Sequence, residues 1–181
     1  MQIHSISTTV LIAAVCLSAS LPARGDIPFD KFTSNAPLDG EVFLLVNTSS
    51  GRCLTEKEGR VSQGVVASDA TAQDRWKLVR VGDDYAIINQ KSGKLLTLPG
   101  ASKIEGTDLT ATSSEKNDSM SQQWVFEKVG NHYRIRAQAT GMVVAVAEAS
   151  KAKGFRVLQW TWNEGSEQVW MVQWVPGAGK K

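Results

Sequence analysis

Polar and apolar residues alternate most clearly in three short stretches near Trp76, Trp124 and Trp170. Trp76 shares a face with Leu78, Trp124 with Phe126, and Trp170 with Val172 and Trp174, while Lys77, Glu127 and Gln173 fall on the opposite face. A period of two predicts strands wet on one side. Each stretch follows the same earlier pattern, an apolar strand, a Ser/Thr-Gly turn and a second strand. These are Glu41 to Val46, Ser49-Ser50-Gly51 and Arg52 to Thr55; Tyr85 to Ile88, Lys91-Ser92-Gly93 and Lys94 to Thr97; and Tyr133 to Arg136, Ala139-Thr140-Gly141 and Met142 to Ala145. From Phe43, Tyr85 and Tyr133 to the turn glycine the spacing is eight residues every time. Glycine suits that place because the end of a tight hairpin turn favours positive φ.

Third extended segments are expected at Gly64 to Ala67, Thr107 to Thr110 and Arg156 to Trp160. Four short strands repeated three times, with the tryptophans 48 and 46 residues apart, predict an all-β fold with internal threefold pseudosymmetry. No single unit can bury its own apolar face, so the three close around a shared axis. Trp76, Trp124 and Trp170 are then core residues. Burying each such side chain contributes about 1.5–3 kcal/mol.

The 181-residue chain divides accordingly. Residues 1–25 are expected to be an export signal, with an apolar core from Val10 to Leu17 and small residues around Ala23 and Gly25. That core is shorter than the roughly 20 apolar residues needed to span a bilayer, so no membrane insertion is expected once the signal is removed. Residues 26–40 form a leader with Pro28, Phe29, Phe32 and Pro37, the β domain covers 41–176, and 177–181 are a tail. The repeats run about 41–81, 83–129 and 131–175. A secreted or periplasmic location follows from the signal.

Charge adds little to this picture. Losing Arg24 with the signal leaves nineteen basic residues against eighteen acidic ones, with no long block of one sign. Nothing there favours nucleic acid, and Lys151, Lys153 and Arg156 are expected to be solvated surface. The mature chain keeps one cysteine, Cys53, and one histidine, His132. An internal disulfide is therefore impossible, and no His/Cys cluster suggests a metal or a cofactor. Cys53 takes a second-strand place held by Leu95 and Val143 in the other copies, so it is expected to be buried rather than nucleophilic. No catalytic residues are predicted.

The tryptophan stretches contain Gln122-Gln123-Trp124 and Gln168-Val169-Trp170, with Asp74-Arg75-Trp76 in the first copy. In phase with the hairpins, these resemble the Gln-x-Trp repeats of the ricin-type β-trefoil lectin domain, over Glu41 to Val175. The resemblance implies a β-trefoil and a carbohydrate-binding module with up to one shallow sugar site per repeat. Such a site needs an acid for hydroxyls, an aromatic face for ring C–H groups and an amide for orientation. The family's acid follows the second strand's paired apolar residues, and here that place holds Thr55, Thr97 and Ala145. The place before the motif glutamine holds Gln73, Ser121 and Glu167.

Only the third repeat keeps a usable set. Trp160 supplies the stacking face, Asn163 or Glu167 the polar partner, and Glu148 a substitute acid. Trp162, one residue beyond Thr161, is expected to share the face of Trp160; as an alternative, both cover the barrel's flank. Thr55, Glu56, Asp69, Thr97 and Asp108 in the other repeats are expected to be ordinary surface. The expected partners are glycans or a polysaccharide. The rival reading is a secreted β-trefoil that binds a protein, as protease inhibitors do, through a polar loop from Ala101 to Met120.

Overall fold

In the computed structural model, residues 40–114 and 119–178 are described. The predicted signal, all of the leader before Gly40 and the end of the tail lie outside them. Twelve strands alternate with short 3-10 turns, and no α-helix occurs among the described residues.

Six strands close a barrel: β1 (Val42–Asn47), β4 (Arg75–Val81), β5 (Asp84–Asn89), β8 (Trp124–Val129), β9 (His132–Ala137) and β12 (Trp170–Trp174). Each is antiparallel to the next around the ring, from β1–β4 through β5, β8 and β9 to β12, which returns to β1. The remaining strands form three hairpins, β2 (Arg52–Lys57) with β3 (Arg60–Val66), β6 (Leu95–Thr97) with β7 (Thr110–Thr112), and β10 (Val143–Val146) with β11 (Val157–Trp160). They meet one another through Arg60–Thr110, Ser62–Arg156 and Asp108–Leu158. A closed six-stranded barrel capped by a triangle of hairpins is a β-trefoil.

The expected equivalences hold in detail. Phe43 lies opposite Trp76, Tyr85 opposite Trp124 and Tyr133 opposite Trp170. All three tryptophans are fully buried. Their Nε1–H groups donate to the second strand of their own repeat: Trp76 to Leu54 O at 2.9 Å, Trp124 to Leu96 O at 3.0 Å, and Trp170 to Val144 O at 2.9 Å. Burial supplies the driving force and the indole bond sets the orientation, leaving none of the three indole N–H groups orphaned.

The third strands differ from expectation in repeats one and two. β3 begins at Arg60, because Glu58 and Gly59 form a two-residue hairpin turn with φ of 56° and 90°. Repeat two has a longer connection, and β7 does not start until Thr110. The strand expected at Thr107 to Thr110, within the Ala101 to Met120 stretch, thus lies at Thr110–Thr112 instead.

Candidate functional site

The third repeat holds a pocket of about 370 Å³, near the small end of the range for ligand sites. Trp160, Asn163, Glu167 and Glu148 all line it. They arrive there from three different pieces of backbone.

Trp160 ends β11, opposite Val143, and keeps 40% of its surface exposed. Glu148 sits in the 3-10 turn Ala147–Ala149 just after β10, with a left-handed φ of 55°. Asn163 and Glu167 belong to the connection into β12. Asn163 Oδ1 accepts from Gly165 N–H at 2.8 Å, and its own N–H donates to Gln168 Oε1 at 2.9 Å. Gln168 Nε2 donates to Thr161 O at 2.8 Å, so the motif glutamine ties both ends of this connection together. Gln122 makes the corresponding bond to Ser113 O at 3.0 Å.

Glu167 is set by its neighbours. Its carbonyl accepts from Asn47 Nδ2 at 2.9 Å, a bond from repeat one across the barrel closure. Its carboxylate folds over Gly165, and a side chain there would force the carboxylate to move. Neither Glu167 nor Glu148 has an ion-pair partner among the described residues.

Repeat two contributes Gly106 to the pocket lining, which the sequence did not show. Gln159 Nε2 donates to Ser102 O at 2.7 Å and Ile104 O at 2.9 Å, pinning that loop against the third repeat. Thr161 N–H donates to Glu105 Oε1 at 2.8 Å. Arg156 Nε donates to Asp108 Oδ1 at 2.8 Å, and its Nη2 reaches Gly106 O at 3.4 Å. Arg156 and Asp108, expected to be plain surface, thus bridge two repeats at the pocket's edge. Both are about half exposed, so solvent leaves the pair about 0–1 kcal/mol.

Trp162 does not share the face of Trp160. β11 stops at Trp160, so the period-two geometry ends before Thr161. Trp162 instead lies beneath Arg134, whose guanidinium carbon is 5.0 Å from the ring centroid. Arg134 and Arg136 in turn both hold Glu127, at 2.6 and 2.7 Å. Burial alone would raise the Glu127 pKa, but the hydrogen bonds and charges of Arg136 and Arg134 outweigh it and hold the carboxyl below its ordinary value.

The equivalent places in the other repeats are built differently. Thr97 is buried, bonds to Thr112 Oγ1 at 2.9 Å and accepts from Gln122 Nε2 at 3.0 Å. Thr55 and Glu56 are buried as well, with Glu56 accepting from Gly59 N–H at 2.6 Å, so neither is the surface residue expected. At the place of the motif glutamine, Asp74 is too short to span the connection and carries no donor. It caps a 3-10 turn instead, accepting from Thr71 N–H at 2.9 Å. Gly64 occupies the strand position where repeat three has Trp160, and a side chain there would strike Asp74 and Thr55. A smaller cavity of about 310 Å³ near Gln73 is lined by Glu56, Lys94 and other polar residues, without an aromatic ring.

The sequence profile of the ricin-type β-trefoil lectin domain matches residues 41–170, well over half of the chain, and the protein belongs to that family. Among solved structures, the designed threefold-symmetric protein ThreeFoil is 28% identical with a TM-score of 0.68, over 75% of this chain and 99% of its own. The exo-β-1,3-galactanase 1,3Gal43A from Clostridium thermocellum is also 28% identical, with a TM-score of 0.70 over 78% of this chain. The chain spans 32% of that enzyme. The ricin B-like lectin of Macrolepiota procera, solved with lactose, is 18% identical at a TM-score of 0.66 over 77% of this chain and 99% of its own. At that identity the likeness speaks for the fold alone. No curated protein sequence matches significantly.

Proposed function

We propose that this domain is an exported carbohydrate-binding module whose glycan site is the pocket of the third repeat. One observation carries the reading: Trp160, Asn163, Glu167 and Glu148, from separate segments, line a single open pocket. Trp160 offers a flat face for the C–H side of a pyranose ring. The Glu148 and Glu167 carboxylates accept from ring hydroxyls, and Asn163 Nδ2, whose Oδ1 is already engaged, donates outward. Export rests on the apolar run from Val10 to Leu17, giving a secreted or periplasmic module.

Binding rather than catalysis suits the inventory. Cys53 is fully buried and its thiol is pushed up to about 12, first by burial and then by the charge of Asp74, so it is no nucleophile. The loop that the protein-recognition reading would use has its Ser102 and Ile104 carbonyls committed to Gln159, and its Gly106 lines the pocket. With one site, affinity for a free sugar is expected near the millimolar range, about 4 kcal/mol. Retention on a polysaccharide then depends on multivalency.

The test is Trp160→Ala, assayed on a glycan array and on insoluble polysaccharides together with the unfolding midpoint. Lost retention at nearly unchanged stability is expected. A large stability loss with binding intact sinks the assignment, and a chain that binds a secreted protein but no glycan replaces it with the interaction reading.

A further inference from the structure

The floor of the third-repeat pocket is apolar. Ala145 and Leu158 face each other across the β10–β11 ladder and pack with Ala147 in a small buried cluster edged by Phe155. Val146, Ala149 and Trp160 continue the apolar lining, and the polar groups are confined to Glu148, Glu167, Asn163, Arg156 and the backbone-tied Gln168. The Arg156 charge is engaged by Asp108. The free charges at the rim are therefore the two carboxylates.

That combination discriminates among sugars. An unmodified hexose laid on Trp160 turns a hydroxyl toward Ala145 and Leu158, where no partner replaces its water. A sulfated or carboxylated sugar meets Glu148 and Glu167 with like charge. An acetamido group matches both layers: its methyl fits the apolar floor, and its N–H donates to a rim carboxylate. We propose that this pocket selects sugars bearing an N-acetyl group over their unmodified hexoses, with the acetamido methyl against Ala145 and Leu158 and its N–H on Glu167. This inference rests on the pocket being the glycan site.

The experiment is a titration followed by NMR, using glucose and galactose each in unmodified, 2-amino and 2-acetamido form. The acetamido form of at least one of the two is expected to bind about tenfold tighter than its parent, which is about 1.4 kcal/mol. Ala145→Asp places a carboxylate in the floor and should abolish or invert that preference. Because an aspartate there threatens folding, Glu167→Ala gives a second reading from the rim: overall affinity falls, and the acetamido form loses more than the parent hexose. Equal binding of the forms, tightest binding of the amine, or a preference untouched by both variants overturns the proposal while leaving a glycan site in place. If no sugar binds in any form, the carbohydrate reading falls with it.

Discussion

Gly106, at the end of the second repeat's loop, supports the Trp160 ring of the third. A methyl built on Gly106 would stand 3.3 Å from Trp160 Cζ3, and the glycine itself has a φ of +82°. Two separate demands meet at this residue: a left-handed backbone, and room for an indole against it.

Gly106→Ala is therefore expected to lower stability by about 1–2 kcal/mol from backbone strain and to weaken glycan retention by displacing Trp160. Gly141→Ala separates the two effects. Gly141 also has positive φ, at +77°, but nothing lies within 4 Å of its Cβ position. It should reproduce the stability loss in thermal denaturation and leave retention alone.

Asn47 has a similar internal control. Its Nδ2 holds the Glu167 carbonyl at 2.9 Å, and Asn89 Nδ2 holds the corresponding Gln73 carbonyl at 2.8 Å. Each Oδ1 also accepts from turn amides, Ser49 and Ser50 in one case, Lys91 and Ser92 in the other. Replacing either by Asp keeps the acceptor and removes the donor, at a cost of about 1–3 kcal/mol. Only Asn47→Asp should also reduce glycan binding, since only it loosens Glu167. Asn47 also opens a glycosylation pattern, Asn47-Thr48-Ser49, but it is fully buried and should stay unglycosylated, which mass spectrometry of material from a glycosylating host would check.

Trp170→Phe should behave unlike Trp160→Ala. It leaves the buried Val144 carbonyl without its 2.9 Å donor and opens space in the core. A loss of about 3 kcal/mol is expected by denaturant unfolding, with the residual folded fraction still binding.

Cys53 should resist thiol reagents at pH 8 in the folded protein and react on denaturation. Its folded pKa lies above the ordinary 9.0, at about 12. The stabilisation from keeping this thiol neutral is whole below pH 9 and is lost as pH rises from about 9 toward 12, because the unfolded chain releases the proton first. Cys53→Ala should flatten the alkaline part of the stability profile. An unchanged alkaline slope would contradict the burial assignment.

Much of the fold was legible because its signals are local. The eight-residue offset from aromatic to glycine marks a hairpin wherever it occurs, and the burial of Trp76, Trp124 and Trp170 follows from alternation within a few residues. The third strands were less legible. Their start depends on how the preceding connection turns, and Glu58-Gly59 turns at once while the second repeat takes a longer path. Trp162 went astray for a related reason: alternation predicts a shared face only while the strand continues, and β11 ends at Trp160.

By itself, the sequence determined the threefold plan and the tryptophan core, since these follow from spacing and residue type within single repeats; the four third-repeat residues that line one pocket come instead from the resemblance to the ricin-type repeats. The tertiary structure alone decided what surrounds them. Gly106, Asp108, Glu105 and Asn47 are brought to the third repeat from the other two by hairpin contacts and barrel closure. Such neighbours are set by how the repeats pack, a long-range property that no local pattern encodes.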